Sequence, residues 1–312
     1  MKLDIVRACV LGHAVADALG VPVEFSDRAS LAREPVTGYL GFGAHRVPAG
    51  TWSDDTAMAL ATLDSLARGL DYEDMMRRFL AWWRDAAYTA TDVVFDMGIT
   101  TQKALLNFNR GTEPLDCGLC GDYDNGNGSL MRIIPAALYC YDRLPDEGLD
   151  RWLEIIHEVS ALTHAHPRSQ MACGIYCCVL WALLERRDLS AVREGINRAR
   201  AFYAVDPGFA EELPYFRRLW EGDPAALPEE TIRSSGYVVD TLEAALWCLL
   251  TTDSYASCVL RAVNLGSDTD TVAAVAGGLA GLLYGLEQVE PWLPDLIRCE
   301  YADALCKAFA GE

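Results

Sequence analysis

The chain has 312 residues, with 26 Lys and Arg against 45 Asp and Glu, for a net charge of −19. Apolar residues make up 51%, enough for a sizeable core, which excludes global disorder. The acidity argues against duplex nucleic acid or an anionic membrane as partner, because both need a Lys/Arg surface to meet phosphate.

Apolar residues recur at helical spacing almost throughout. Leu3, Val6, Val10, Ala14 and Leu19 share a face of a helix over 3–19. Similar patterns predict helices over 55–69, 72–86, 92–108, 129–140, 149–162, 168–186, 190–203, 209–220, 239–251, 254–264, 269–286 and 293–309. The best strand signal, Thr37–Phe42, is short. Gly- and Pro-rich turns separate the runs, and longer loops fall at about 20–52, 110–128 and 221–238, where a helical scaffold usually carries function. Segment 221–238, with Gly222, Pro224, Pro228 and Gly236, is the best boundary candidate. Informative polar clusters lie on both sides of it, so the chain reads as one all-α domain over 1–312, a single compact orthogonal helical bundle.

The eleven cysteines are odd in number, and several sit in apolar runs, as buried free thiols do. Cys117 and Cys120 form one C-x-x-C with no second ligand pair nearby, so neither zinc nor a disulfide framework is expected, and the reducing cytoplasm is the expected compartment. No targeting or membrane segment stands out. The longest uncharged run, Thr271–Leu286, has 16 residues, short of the ~18–20 that span a bilayer. Gly277, Gly281 and Gly285 inside it suggest a buried helix packed through a glycine stripe.

Six polar clusters carry chemistry. Gly12–Gly20 contains His13 and Asp17; for Asp17, bonding to neighbouring loop amides is the simpler reading, and Glu24 follows in an apolar turn where acid/base work becomes possible. Gly50-Thr51-Trp52-Ser53-Asp54-Asp55-Thr56 opens one helix, and Gly266-Ser267-Asp268-Thr269-Asp270-Thr271 opens another. Helix capping accounts for one or two of these side chains, not for paired carboxylates with hydroxyls at both starts. Converging Asp54, Asp55, Asp268 and Asp270 would repel unless a cation lay between them, and an all-oxygen set suits Mg²⁺, Mn²⁺ or Ca²⁺. Asp96 falls within the predicted helix 92–108, where a lone inward carboxylate is costly unless bonded or functional. Asn125–Arg132 offers Gly-rich backbone amides to phosphate before a helix. Thr163-His164-Ala165-His166 suits hydrogen bonding to a substrate better than metal.

In this order the clusters resemble the ADP-ribosylglycohydrolase family over nearly the whole chain. The most specific elements are G-T-W-S-D-D-T at 50–56, G-N-G-S-L-M-R at 126–132 and G-S-D-T-D-T-V at 266–272. The resemblance implies an all-α domain with a metal site at helix N-termini, holding two Mg²⁺ or Mn²⁺ through Ser53, Asp54, Asp55, Asp268, Asp270 and Thr271. It also implies Glu24, Asp55 and Asp96 as catalytic acids, Gly98, Asn127, Gly128 and Ser129 against the substrate, the last three at its diphosphate, and His164 near its distal ribose. The activity it implies is hydrolysis of the bond between ADP-ribose and an acceptor, most simply an arginine of a modified protein, or else a small-molecule conjugate, with ADP-ribose as product. A non-catalytic ADP-ribose-binding protein on the same fold is the alternative. Three positions depart from the pattern: Ser53 stands for the more usual Thr, Ile99 for a polar residue, and Ser267 for a common Gly.

Overall fold

A computed structural model describes residues 1–312. Fifteen α-helices carry the chain and no β-strand forms: α1 (Leu3–Gly20), α2 (Arg28–Arg33), α3 (Asp54–Leu66), α4 (Tyr72–Asp85), α5 (Ile99–Asn109), α6 (Ile134–Arg143), α7 (Gly148–Ala161), α8 (Pro167–Glu185), α9 (Leu189–Tyr203), α10 (Arg217–Trp220), α11 (Val238–Leu250), α12 (Tyr255–Asn264), α13 (Thr269–Tyr284), α14 (Leu286–Val289) and α15 (Cys299–Ala310). The all-α expectation holds, and most predicted spans agree to within a few residues.

Four predicted spans need correction, each for a local reason. The helix expected from 92 begins only at Ile99, because Asp92 and Asp96 take left-handed backbone (φ of 58° each) that no α-helix continues. Asp96 therefore lies on a loop and not in a helix. The helix expected from 129 begins at Ile134, with Pro135 in its first turn, where a missing N–H is tolerated. In the run 209–220 only a 3₁₀ turn over Leu213–Phe216, with Pro214 in its first turn, and the short α10 form, after a separate 3₁₀ turn over Pro207–Phe209. The run from 293 becomes a 3₁₀ turn over Glu290–Asp295, and Arg298 (φ 55°) then resets the chain before α15. Thr37–Phe42 is not a strand; the only β-type contacts are isolated bridges, Leu119 with His164 and Gly126 with Tyr237. Sequence periodicity also missed α2, which Asp27 caps by accepting from the Ser30 amide at 2.9 Å.

The centre of the core is the antiparallel pair of α1 and α13. A Cβ on Gly281 would sit 1.9 Å from the Ala8 carbonyl oxygen, and one on Gly277 would sit 2.6 Å from that of Gly12. Only glycine lets these backbones approach so closely. Gly285, the third member of the expected stripe, plays another part, since at φ 94° it ends α13. The segment Leu3–Val23 is long and apolar enough to cross a bilayer by composition alone, yet 89% of its apolar window is buried inside the protein, so its apolarity is that of a core helix. Ninety buried residues form one continuous cluster around this pair. All eleven cysteines are free thiols. Segment 221–238 is tied across the fold: Arg28 donates to the carbonyls of Glu229, Ile232 and Leu265, and the Asp268 amide donates to the Ser234 carbonyl at 2.9 Å.

The close approach of α1 and α13 matters for function because it sets the two ends that meet. Gly20 ends α1 against the start of α13, where a Cβ would lie 2.4 Å from Asp270 Cα, and Thr269 Oγ1 donates to the Gly20 carbonyl at 2.8 Å. The segment after Gly20 is thereby carried past the first turn of α13.

Candidate active site

The start of α3 is capped without help from Asp54 or Asp55. Ser53 stands at the N-cap and its Oγ accepts from the Asp55 amide at 3.2 Å. Asp17, fully buried on α1, accepts from the amides of Ser53 and Thr56 and from Thr56 Oγ1 at 2.6 Å. The simpler reading of Asp17 thus describes its geometry: it ties the α3 start to α1. Asp17→Ala should cost about 2–3 kcal/mol, since it strands two buried amides and a hydroxyl, and should blunt activity by loosening Asp54 and Asp55. Denaturant unfolding showing a loss below about 0.5 kcal/mol would contradict this role.

With α3 capped by these groups and no side-chain cap made at α13, the carboxylates of the two helix starts are left for other work. Asp55 Oδ2 accepts from Ser53 Oγ at 3.1 Å and, across the gap between helices, from Thr271 Oγ1 at 3.2 Å. Its Oδ1 is buried and has no partner. Asp270 Oδ1 accepts from the Thr271 amide at 2.9 Å, and its Oδ2 is likewise buried and alone. Asp268 occupies the N-cap of α13 with no capping bond from its side chain, and takes Asn127 Nδ2 at 2.8 Å instead. Carboxylate oxygens of Glu24, Asp268 and Asp270 lie within 4.8 Å of one another, and those of Glu24 and Asp96 lie within the same distance of each other and of His45. Glu24 belongs to both groups.

A cavity of about 280 Å³ opens onto this cluster. Its acidic wall is Glu24, Asp54, Asp96 and Asp268, joined by Thr271. The remaining wall is Gly98 to Thr101, Gly126 to Gly128, Met131, His164 and Gly236. Gly128 is required there: a Cβ would fall 2.8 Å from His164 Cε1 and 3.2 Å from Thr101 Oγ1. Nine of the predicted site residues line the cavity, while Ser53, Asp55 and Asp270 sit buried directly behind it. Ser129 is different. Its hydroxyl accepts from Ser160 Oγ at 2.8 Å and lies against Cys173 Sγ, inside the core. Ile99, 71% exposed, makes an apolar lip. Ser267 (φ 67°) keeps the left-handed backbone that a glycine would adopt, is exposed, and bonds through its backbone to Phe25 and Ser26 rather than crowding the cavity.

His45 escaped the sequence reading. Its Nε2 makes a short hydrogen bond to Glu24 Oε2, and its ring packs 4.9 Å from that of Phe95. It lies on a Gly- and Pro-rich loop with no spacing signal; only its being one of five histidines, on the long 20–52 loop, could have drawn attention to it.

Burial pushes every acid of the cluster upward. Asp54, Asp55 and Asp270 are raised well above the carboxylate range by burial first, then by one another and by Glu24, Asp17 and Asp96. Asp96 is raised to about 7 by burial and by Glu24, and Asp17 to about 6 by burial despite its hydrogen bonds. Burial also raises Glu24, against the pull of His45. A cation between these carboxylates would remove both the repulsion and the two orphaned oxygens, so the residues present fit an oxygen-loving divalent ion. Without one, these carboxyls bind protons more tightly folded than unfolded, so their contribution to stability falls as pH rises above the ordinary carboxyl range, for Asp96 up to about 7. In EDTA, the melting-temperature advantage of Asp55→Asn over the wild type should therefore widen as pH rises above about 4, the ordinary carboxyl value; a gap that stays constant or narrows would contradict it.

Proteins related over the whole of this all-α fold place it in a class of hydrolases. The sequence profile of the ADP-ribosylglycohydrolase family matches residues 2–312, and the chain belongs to that family. It is 32% identical to ADP-ribosylarginine hydrolase Tri1 of Pseudomonas putida (strain GB-1), over 98% of this chain and 77% of that protein. It is 32% identical to ADP-ribosyl-[dinitrogen reductase] glycohydrolase of Rhodospirillum rubrum, over 92% of this chain and 88% of that one. Among solved structures, a chain of an ADP-ribosylglycohydrolase-related protein complex matches with a TM-score of 0.80 at 33% identity, covering 98% of this chain and 97% of that chain.

Proposed function

We propose that this protein hydrolyses the bond between ADP-ribose and an arginine side chain of a modified protein, releasing ADP-ribose, as a metal-dependent enzyme of one domain working in the cytoplasm. The observation that carries the reading is the pair of buried, unpartnered oxygens, Asp55 Oδ1 and Asp270 Oδ2, on helix starts joined by the Thr271–Asp55 hydrogen bond. Relatives named for cleavage of ADP-ribosyl arginine and of ADP-ribosyl dinitrogen reductase support the substrate class.

Asp54, Asp55, Asp268 and Asp270, with the hydroxyls of Ser53 and Thr271, would hold two Mg²⁺ or Mn²⁺. Bound there, the ions would supply positive charge beside the ribose hydroxyls and would lower the pKa of water, so that a hydroxide-like nucleophile is available near neutral pH. The protein's own groups do the rest. Glu24 is held through Oε2 by His45, which leaves Oε1 to take a proton from the attacking water. Asp96, with a pKa raised to about 7, can give a proton to the departing guanidine near neutral pH. The glycines at 98, 126 and 128 let backbone come close to the diphosphate, where peptide N–H groups give local attraction that a protein of net charge −19 does not give globally.

Peptides ADP-ribosylated on arginine or on serine, incubated with Mg²⁺, Mn²⁺ or EDTA, test this. Release of ADP-ribose from the arginine conjugate, abolished by EDTA, is expected. Release from serine alone would move the acceptor assignment, and tight ADP-ribose binding without release from any conjugate would replace the enzyme by a binding protein.

A further inference from the structure

Arg132 is fully buried, and no carboxylate faces it. Its guanidinium stacks 4.7 Å from the centre of the Phe79 ring, and its Nε and Nη1 have no hydrogen-bond partner. Only Nη2 is used: it donates to the Val159 carbonyl at 3.1 Å and to Thr163 Oγ1 at 2.8 Å. Thr163 Oγ1 lies in turn 2.9 Å from His164 Nδ1, and that ring nitrogen is the only acceptor within reach of the hydroxyl hydrogen. A buried, unpaired cation is costly to keep, so a chain of three side chains that starts on one and ends at the cavity wall asks for a reason.

We infer that Arg132 and Thr163 are positioning residues that lock His164 as its Nε2–H tautomer, so that the ring presents a neutral N–H donor to an oxygen of the ADP-ribosyl unit in the cavity. The identity of that ligand rests on the function proposed above; the lock does not. Arg132 donates to Thr163, so the hydroxyl is directed onward to Nδ1, and Nδ1 must be the unprotonated nitrogen. The ring proton is then on Nε2, which makes no hydrogen bond within the protein, on a ring that lines the cavity beside Gly126 and Gly128. A second protonation is opposed by burial and by the Arg132 charge, which push His164 down to about 3, so the donor stays neutral across the working pH range. The Cε1 edge of the ring faces Gly128, where a Cβ would come within 2.8 Å of it, so glycine is what leaves room for the ring at this place. In a wall where four of the other eight polar side chains are acids and none is basic, a locked donor backed by a buried positive charge favours an oxygen acceptor, above all an anionic one.

Nitrogen-15 NMR of the histidine rings reads the tautomer directly. Only five histidines are present, and the His164 signals are assigned by their loss in His164→Gln. The wild type should show Nε2 protonated and Nδ1 bare; the opposite tautomer, or a mixture, overturns the lock. Thr163→Val should abolish the single tautomer, weaken ADP-ribose binding about tenfold and raise KM alike, with kcat little changed. Thr163→Ser should restore tautomer, affinity and KM together. A Thr163→Val protein with unchanged tautomer and affinity overturns the inference even if Arg132→Met fails to fold. If the wild type shows the Nε2–H form but binds no ADP-ribose, the lock stands and the assignment of the cavity to ADP-ribose fails.

Discussion

Asp270→Asn and Asp55→Asn will each lower turnover by at least about 10²–10³-fold, and each will raise the melting temperature of the metal-free protein. The two effects share a cause. Both carboxylates are buried, both carry an oxygen with no hydrogen-bond partner, and both are raised far above the carboxylate range by burial and by neighbouring acids. An amide keeps the accepting oxygen that Asp270 offers to the Thr271 N–H, removes a negative charge, and donates to the acids around it. The gain should be on the order of 0.5–2 kcal/mol, or a few degrees in Tm for a chain of this length. Added Mg²⁺ or Mn²⁺ should reverse the order, stabilising the wild type by mass action and the variants much less. Variants that keep full activity, or that melt below the wild type in EDTA, would show that these acids serve the fold and not a cation.

Gly281→Val will unfold the protein or destabilise it by more than about 4 kcal/mol, the range reserved for core collisions and lost networks. The Cβ would meet the Ala8 carbonyl oxygen at 1.9 Å, and a backbone carbonyl inside a helix has no rotamer in which to escape. α1 and α13 would have to separate, and the separation would travel to the far end of the pair, where Gly20 fits against Asp270. Soluble survivors should therefore lose metal affinity as well as stability. Gly38→Ala, at a position with nothing within 4 Å, is the matched control and should melt with the wild type. A Gly281→Val protein within about 1 kcal/mol of the wild type in denaturant would contradict the close helix contact.

The parts of the site legible in the sequence were those written in consecutive residues. Paired acids behind a hydroxyl at 53–55 and 268–271 exceed what capping requires, and the structure explains the excess: Ser53 and Asp17 cap α3, and Asp268 makes no cap at all. The helices were legible where one face is buried and one is wet, as in α4 and α7. Legibility failed where an apolar run serves a different purpose. Val93, Val94 and Phe95 continue the helical pattern yet lie on the loop before α5, with Val93 exposed and Phe95 packed on His45. Periodicity counts apolar residues and does not see that Asp92 and Asp96 adopt left-handed backbone. His45 and the Arg132–Thr163–His164 chain were hidden for the same reason: each partnership joins residues whose spacing carries no periodic signal. Ser129 shows the converse, a residue in a specific local pattern whose hydroxyl the fold turns into the core.

The most direct test is a metal titration of turnover. Protein stripped with EDTA and dialysed should release no ADP-ribose from an arginine-ADP-ribosylated protein; stepwise Mg²⁺ or Mn²⁺ should restore release along a saturating curve, and Asp55→Asn and Asp270→Asn should stay inactive throughout. Release by the stripped wild type at the full rate, or restoration of both variants by metal, would contradict a cation site built on these two helix starts.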